Sequence, residues 1–184
     1  MKLSWCSRAG WAGIALGLVA GSPALAIAQK ASPVIISQRT TAITTGQINT
    51  IIKQMLAASE QRRTAGIMKY IAPQAVFDMT IQFAGNNQQL QLSRQEYEAY
   101  LTEGFAITRA YRSQVSQLKI QVAANKKSAI VTYVLNEATT IKPQYSSQTL
   151  NLTATSNARL QFELVNGQVL ITSSKTVTRM NADL

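Results

Sequence analysis

Histidine is absent from all 184 residues, cysteine occurs once, and eight Asp and Glu stand against 18 Lys and Arg. Each scarcity closes a class of chemistry. Without imidazole there is no Ser-His-Asp or Cys-His nucleophile, no histidine acid–base step and no metal site with a histidine ligand. The lone Cys6 excludes an intramolecular disulfide and a thiolate zinc cluster. There is no glycine-rich phosphate loop, no paired-carboxylate metal spacing and no haem ligand set, so neither a metal nor a cofactor is expected. Internal repeats and low-complexity tracts are missing too.

The first recognisable feature lies at the start. Lys2 and Arg8 precede an apolar run from Ala9 to Ala20, followed by Pro23 and the small-residue pattern Ala26-Ile27-Ala28. This order reads as a secretory signal peptide over residues 1–28, cleaved near Ala28. Ala9–Ala28 is about 20 residues, enough to span a bilayer as an uncleaved anchor, but Gly10, Gly13, Gly17, Gly21 and Pro23 weaken such a span. Cys6 lies upstream of the apolar run and is not placed for lipidation. Cleavage removes 28 residues of the 184, with Cys6, both tryptophans and two of the 18 cations; 156 residues remain, carrying 16 cations, eight acids and a net charge of +8. A periplasmic or secreted location follows, without stable membrane insertion after cleavage. A single domain of that size buries roughly 68–70% of its unfolded surface and needs no disulfide. The cations are scattered, with Arg62-Arg63 and Lys126-Lys127 as pairs and no longer run. They read as general surface charge or, alternatively, as a salt-sensitive surface for polyanions, and nucleic acid is not an expected partner.

Residues 29–43 carry a proline and polar residues without a sustained period and read as a linker, although Val34-Ile35-Ile36 could dock as an edge segment. The domain proper then runs over 44–184. Thr44 with Gln47 makes a capping box ahead of Ile48, Ile51, Ile52, Met55 and Leu56, the spacing of an amphipathic helix. A short second helix carries Ile67, Met68 and Ile71 and stops at Pro73. The period then changes to two through Phe77, Met79, Ile81 and Phe83, a strand closed by a turn at Gly85-Asn86-Asn87. Ser93 with Glu96 caps a further helix with Tyr97, Tyr100, Leu101 and Gly104 on one face. Two hairpins follow, over 115–124 with 129–141 and over 153–165 with 168–180, the second turning at Asn166-Gly167. Pairing across that turn sets Phe162 opposite Ile171, Leu160 opposite Ser173 and Ala158 opposite Lys175 on the core face. The other face then carries Arg159, Gln161 and Glu163 against Thr172, Ser174 and Thr176. In the first hairpin, Val122 opposite Ala129 sets Ile120 opposite Val131 and Leu118 opposite Tyr133.

This order of elements, with the run Ile71-Ala72-Pro73-Gln74-Ala75-Val76-Phe77-Asp78, the helix opening Leu92-Ser93-Arg94-Gln95-Glu96-Tyr97 and the closing Gly167-Gln168-Val169-Leu170-Ile171, resembles the nuclear-transport-factor-2-like superfamily. The resemblance implies an exported bacterial member of class α+β. Its expected architecture is three N-terminal helices packed on a curved antiparallel sheet, forming a cone with one pocket at its open end. The superfamily has no invariant catalytic signature, and its fold serves isomerases, dehydratases, cyclases, assembly modules and ligand binders alike, so the side chains must decide the function. Steroid-isomerase relatives place a carboxylate base on the first strand. Matching that strand puts Met79, not Asp78, at the base's position, and relatives that use an Asp-His pair are excluded by the missing histidine.

Two carboxylates remain as candidate acid–base groups. Glu137 follows Tyr133 and Leu135 onto the inward face of its strand, where desolvation would raise its pKa; at the rim of the sheet it would instead be hydrated or paired. Asp78 would enter the pocket on a one-residue register slip and otherwise faces solvent. Tyr97, Tyr100, Tyr111 and Tyr133 are candidate ring walls with polar tips, or core residues whose hydroxyls reach the surface. Met79 and Phe162 complete a candidate apolar lining, and Arg109 and Lys175 are candidate anion contacts at the mouth, or solvated cations. The expectation is an exported, non-catalytic binding domain. It would hold a small amphipathic molecule in the pocket or a protein partner, including a second copy as a homodimer, on its sheet face. The alternative is a cofactor-free isomerase or dehydratase acting through Glu137 or Asp78 with a tyrosine hydroxyl.

Overall fold

The computed structural model describes residues 40–143 and 148–183. The signal-peptide reading of 1–28, the Val34-Ile35-Ile36 segment and the linker up to residue 39 lie outside them. The end of the linker is not a spacer: Ile43 is almost fully buried, and its amide donates to the Lys126 carbonyl at 2.8 Å. A β-branched side chain at that point gains more by filling the core than by staying in water.

Helix α1 spans Thr45–Glu60. Its first turn is closed by the capping box, with the Gln47 amide donating to Thr44 Oγ1 at 3.2 Å and the Thr44 amide to Gln47 Oε1 at 2.9 Å. Its last turn ends when Arg62 enters the left-handed region at φ 54°. The Arg63 and Arg62 amides then reach the Ala58 and Ser59 carbonyls at 2.8 and 2.9 Å, satisfying acceptors the helix cannot. Helix α2 is one short turn, Thr64–Met68. It stops well before Pro73, because Ile71 to Pro73 already belong to strand β1, Ile71–Phe83. The proline falls inside a register irregularity between Ile71 and Val76, where a missing N–H interrupts no ladder bond.

After β1 come β2 (Asn86–Ser93), α3 (Arg94–Ile107), β3 (Thr108–Val122), β4 (Ser128–Ile141), β5 (Leu150–Val165) and β6 (Gln168–Asp183). The six strands form one curved sheet in the order β2-β1-β6-β5-β4-β3. Three expectations need correction. The sheet is mixed rather than antiparallel, since β1 runs parallel to β6 with Phe77 beside Ser174. Only α1 and α2 precede the sheet, and α3 lies between β2 and β3. The turn after Phe83 also falls earlier than Gly85-Asn86-Asn87: Ala84 and Gly85, at φ 49° and 80°, turn the chain, and Asn86 and Asn87 already belong to β2, which pairs Phe77 with Leu92 and Asp78 with Gln91. Helix α3 carries the chain from the β2 edge to the β3 edge. Fourteen residues give roughly 21 Å of helix, close to the five strand spacings of about 4.8 Å that separate the two edges.

Two β-bulges change which side chains share a face. The Asn166-Gly167 hairpin sets Phe162 opposite Ile171 as its turn dictates, but a register shift then inserts Thr172, so Leu160 faces Ser174 and Ala158 faces Thr176. Lys175 therefore sits on the outer face opposite Arg159, while Ser174 and Thr176 turn inward. In the first hairpin a shift between Ser116 and Lys119 keeps Leu118 from pairing with Tyr133 and leaves it partly exposed. The core lies between helices and sheet: Ile48, Ile51 and Ile52 of α1 pack on Ala129, Val131, Leu160 and Phe162. A second cluster joins Ala58, Ile67, Met68 and Phe77, with Tyr97, Leu101 and Phe105 of α3 packed against it. Among the described residues no helix is long and apolar enough to cross a membrane.

Candidate functional site

Beyond the part of the inner face that α1 covers, the sheet carries polar groups, and β4 delivers the most unusual of them. Alternation along β4 puts Val131, Tyr133, Leu135 and Glu137 on the inner face. Ser113 of β3 is the cross-strand partner of Glu137, and two residues away the Tyr111 hydroxyl donates to Glu137 Oε1. Helix α3 closes over this region because its cap at Ser93 orients the first turn above β1. Tyr97 stacks on Phe77 with ring centroids 3.9 Å apart and planes 7° from parallel, and Tyr100 lies 6.4 Å from Tyr97 by the same measure. Tyr97, Tyr100, Tyr111, Tyr133 and Glu137 all retain part of their accessible surface, so the cluster is sheltered without being sealed.

Its electrostatics follow from that shelter. Burial pushes the Glu137 carboxyl above its ordinary value, while the Tyr111 hydrogen bond, which favours the carboxylate, pulls it back. Burial also raises the phenols. Tyr133 is pushed up to about 12, with the Glu137 charge as the second cause. Tyr97, Tyr100 and Tyr111 are raised for the same leading reason, each with the Glu137 charge contributing. The result is one carboxyl that resists ionisation, ringed by four phenols that remain donors at neutral and mildly alkaline pH.

A second polar strip runs beside the cluster. Ser156 of β5 is buried, and its hydroxyl shares a hydrogen bond of 2.8 Å with Thr178 Oγ1; Ser174 and Thr176 follow along β6. Sequence alternation on β5 already places Ser156 in line with Ala158 and Leu160, but the β6 hydroxyls are turned inward only by the bulge at Thr172.

The remaining predicted site residues fall elsewhere. Met79 is half-buried on the inner face of β1, one position along from the Phe77–Tyr97 stack. Phe162 has no accessible surface; it is a core side chain under α1 and lines nothing. Asp78 is exposed on the outer face and accepts from Gln91 Nε2 at 3.0 Å. Arg109 is exposed at the irregular start of β3, where its carbonyl, with that of Thr108, accepts from the Arg62 guanidinium. Lys175 is exposed on the outer face. Among the described residues no three acidic or thiol groups are close enough to hold a metal ion.

No protein-family model matches the chain. No curated protein matches it either. Solved structures do. A nuclear-transport-factor-2-like protein of unknown function from Pseudomonas putida matches with a TM-score of 0.53 at 18% identity, covering 72% of this chain and 84% of its own. A proposed aromatic ring hydroxylase from Novosphingobium aromaticivorans matches with a TM-score of 0.58 at 10% identity, over 74% and 91% of the two chains. A type 2 hexachlorocyclohexane dehydrochlorinase matches with a TM-score of 0.53 at 7% identity, over 76% and 88%. Identities this low speak for the backbone and not for the chemistry. The mixed six-stranded sheet with α3 across its inner face and these neighbours agree that the chain has the nuclear-transport-factor-2-like fold.

Proposed function

We propose that the protein is exported, loses residues 1–28, and binds a small amphipathic molecule on the inner face beyond α1. The observation that carries this reading is the Glu137–Tyr111 pair set among Tyr97, Tyr100 and Tyr133. Rings and methyl groups there offer an apolar molecule a flat surface, and the carboxyl with its phenols offers a hydroxyl or carbonyl group a donor and an acceptor. Native mass spectrometry of the exported protein, followed by its denatured mass, tests the reading. The expected result is a bound molecule lost on denaturation, a polypeptide beginning at Gln29, and weaker retention in Glu137→Gln. A clean apo mass in both proteins, with several subunits per particle, would move the binding to a second copy on the outer sheet face.

A cofactor-free acid–base enzyme is the second reading, favoured by the desolvated carboxyl of Glu137. A carboxyl held above its ordinary pKa keeps a proton to give at a pH where an exposed one has lost it, with a phenol to stabilise developing negative charge. In that case Glu137→Gln stays folded and loses turnover on whatever bound molecule is identified. Turnover that survives Glu137→Gln excludes it.

A further inference from the structure

We infer that the outer face of the sheet carries a separate site for a phosphomonoester, built on Lys119, Arg159 and Lys175. A hollow of about 330 Å³ opens there, on the opposite side of the sheet from Glu137, and all three cations line it. That volume falls at the small end of ordinary small-molecule sites.

The cations are brought together by register. Lys119 of β3 is the cross-strand partner of Thr132, Thr132 of Arg159, and Arg159 of Lys175, so one row crosses four adjacent strands. Two bulges make this row: the shift in β3 between Ser116 and Lys119, and the shift at Thr172 that moves Lys175 outward. Bulges re-aim side chains, and both of these aim cations at one hollow. Arg159 and Lys175 are like charges directly opposite one another, an arrangement that weakens a sheet. No carboxylate lines the hollow. The nearest acid in the row is Asp78, the partner of Lys175 on β1, and it is hydrogen-bonded to Gln91 on its other side. Among the described residues none of the three cations forms an ion pair.

An exposed repulsive pair whose one cross-strand carboxylate, Asp78, is held by Gln91 and closes no ion pair with it is relieved by an external anion. The anion's chemistry follows from the lining. Three cations from three strands exceed what the two coplanar oxygens of one carboxylate can engage, whereas a phosphomonoester presents three oxygens and carries about −1.5 to −2 charges. Thr132 and Asn157 supply neutral polar groups, and Val134 and Val177 supply an apolar floor for the organic group of the ester.

Phenyl phosphate titrated into the purified full-length protein, followed by amide NMR shifts, tests the site. Saturable shifts are expected around Lys119, Arg159 and Lys175. Arg159→Gln and Lys175→Gln should each weaken binding roughly tenfold, the loss of one charge-assisted hydrogen bond. Without ligand Arg159→Gln should melt no lower than wild type, because it removes the repulsion with Lys175; a residue with a merely structural role would lower the melting temperature. Arg112→Gln removes the same charge farther along β3 and should leave affinity nearly unchanged. Benzoate should bind more weakly than phenyl phosphate. The inference is overturned if no saturable shift appears, if Arg112→Gln weakens binding as much as Arg159→Gln, if benzoate binds as tightly, or if the shifts vanish as a second copy covers the face at higher protein concentration.

Discussion

Glu137 is a carboxyl whose pKa burial raises, and its titration is a direct probe of the inner face. The folded-state pKa is raised by burial, so between the ordinary carboxylate value of 4.5 and that raised value the folded protein holds more protons than the unfolded chain. Stability is therefore complete below the ordinary value and declines as pH rises through the folded one. Melting temperatures measured from acid to neutral pH should show that decline in wild type and lose it in Glu137→Gln. The phenols repeat the argument at high pH. Their ordinary value is 10.0 and all four are raised, so stability falls once the pH passes 10 and tyrosinate absorbance from the cluster should appear together with unfolding. A cluster that titrates ahead of unfolding would show that water reaches it freely. The sequence already placed Glu137 on the inward side of its strand by alternation. It did not disclose the Tyr111 contact, because the register of β3 on the Tyr111 side of the bulge between Ser116 and Lys119 differs by one residue from the register at the hairpin.

At the scale of elements, local chemistry settles ends and turns. Both long helices open with a reciprocal capping box, at Thr44 and at Ser93. Ser93→Ala should destabilise the protein by about 1 kcal/mol in chemical denaturation. The cap also lowers the pKa of the exposed Glu96, through its hydrogen bonds to the Ser93 backbone and side chain. The β1–β2 turn works against local preference. Ala84 sits in the left-handed region ahead of Gly85, where a side chain with a Cβ costs roughly 1–2 kcal/mol. Asn-Gly is the favoured pair for such a turn, so Ala84→Asn should raise stability by about 0.5–1 kcal/mol. The same misfit explains why β2 is hard to read: its turn begins on alanine and its strand is NNQQLQLS, with only Leu90 and Leu92 to mark a face.

At the scale of the molecule, the hydrophobic core is where distant segments meet. Phe162 is fully buried between α1 and the sheet, and Phe162→Ala should cost about 3–5 kcal/mol, measured as a shift in the denaturant midpoint. Its removal should leave the phosphate titration of the outer face intact while the protein stays folded, since that hollow draws on the opposite side of β5. Sequence alone determined the elements whose signals are short-range. Capping boxes, the 3.6-residue stripe of α1, the two-residue alternation of β1 and β4 and the Asn-Gly hairpin each need only a few neighbouring residues to act. From these followed the α+β class and the nuclear-transport-factor-2-like order. Tertiary structure alone decided the parallel pairing of β1 with β6, the inward turn of Ser174 and Thr176, and the gathering of Lys119, Arg159 and Lys175 on one row. These depend on register between strands far apart in the chain, and a single inserted residue such as Thr172 reverses the faces of everything after it.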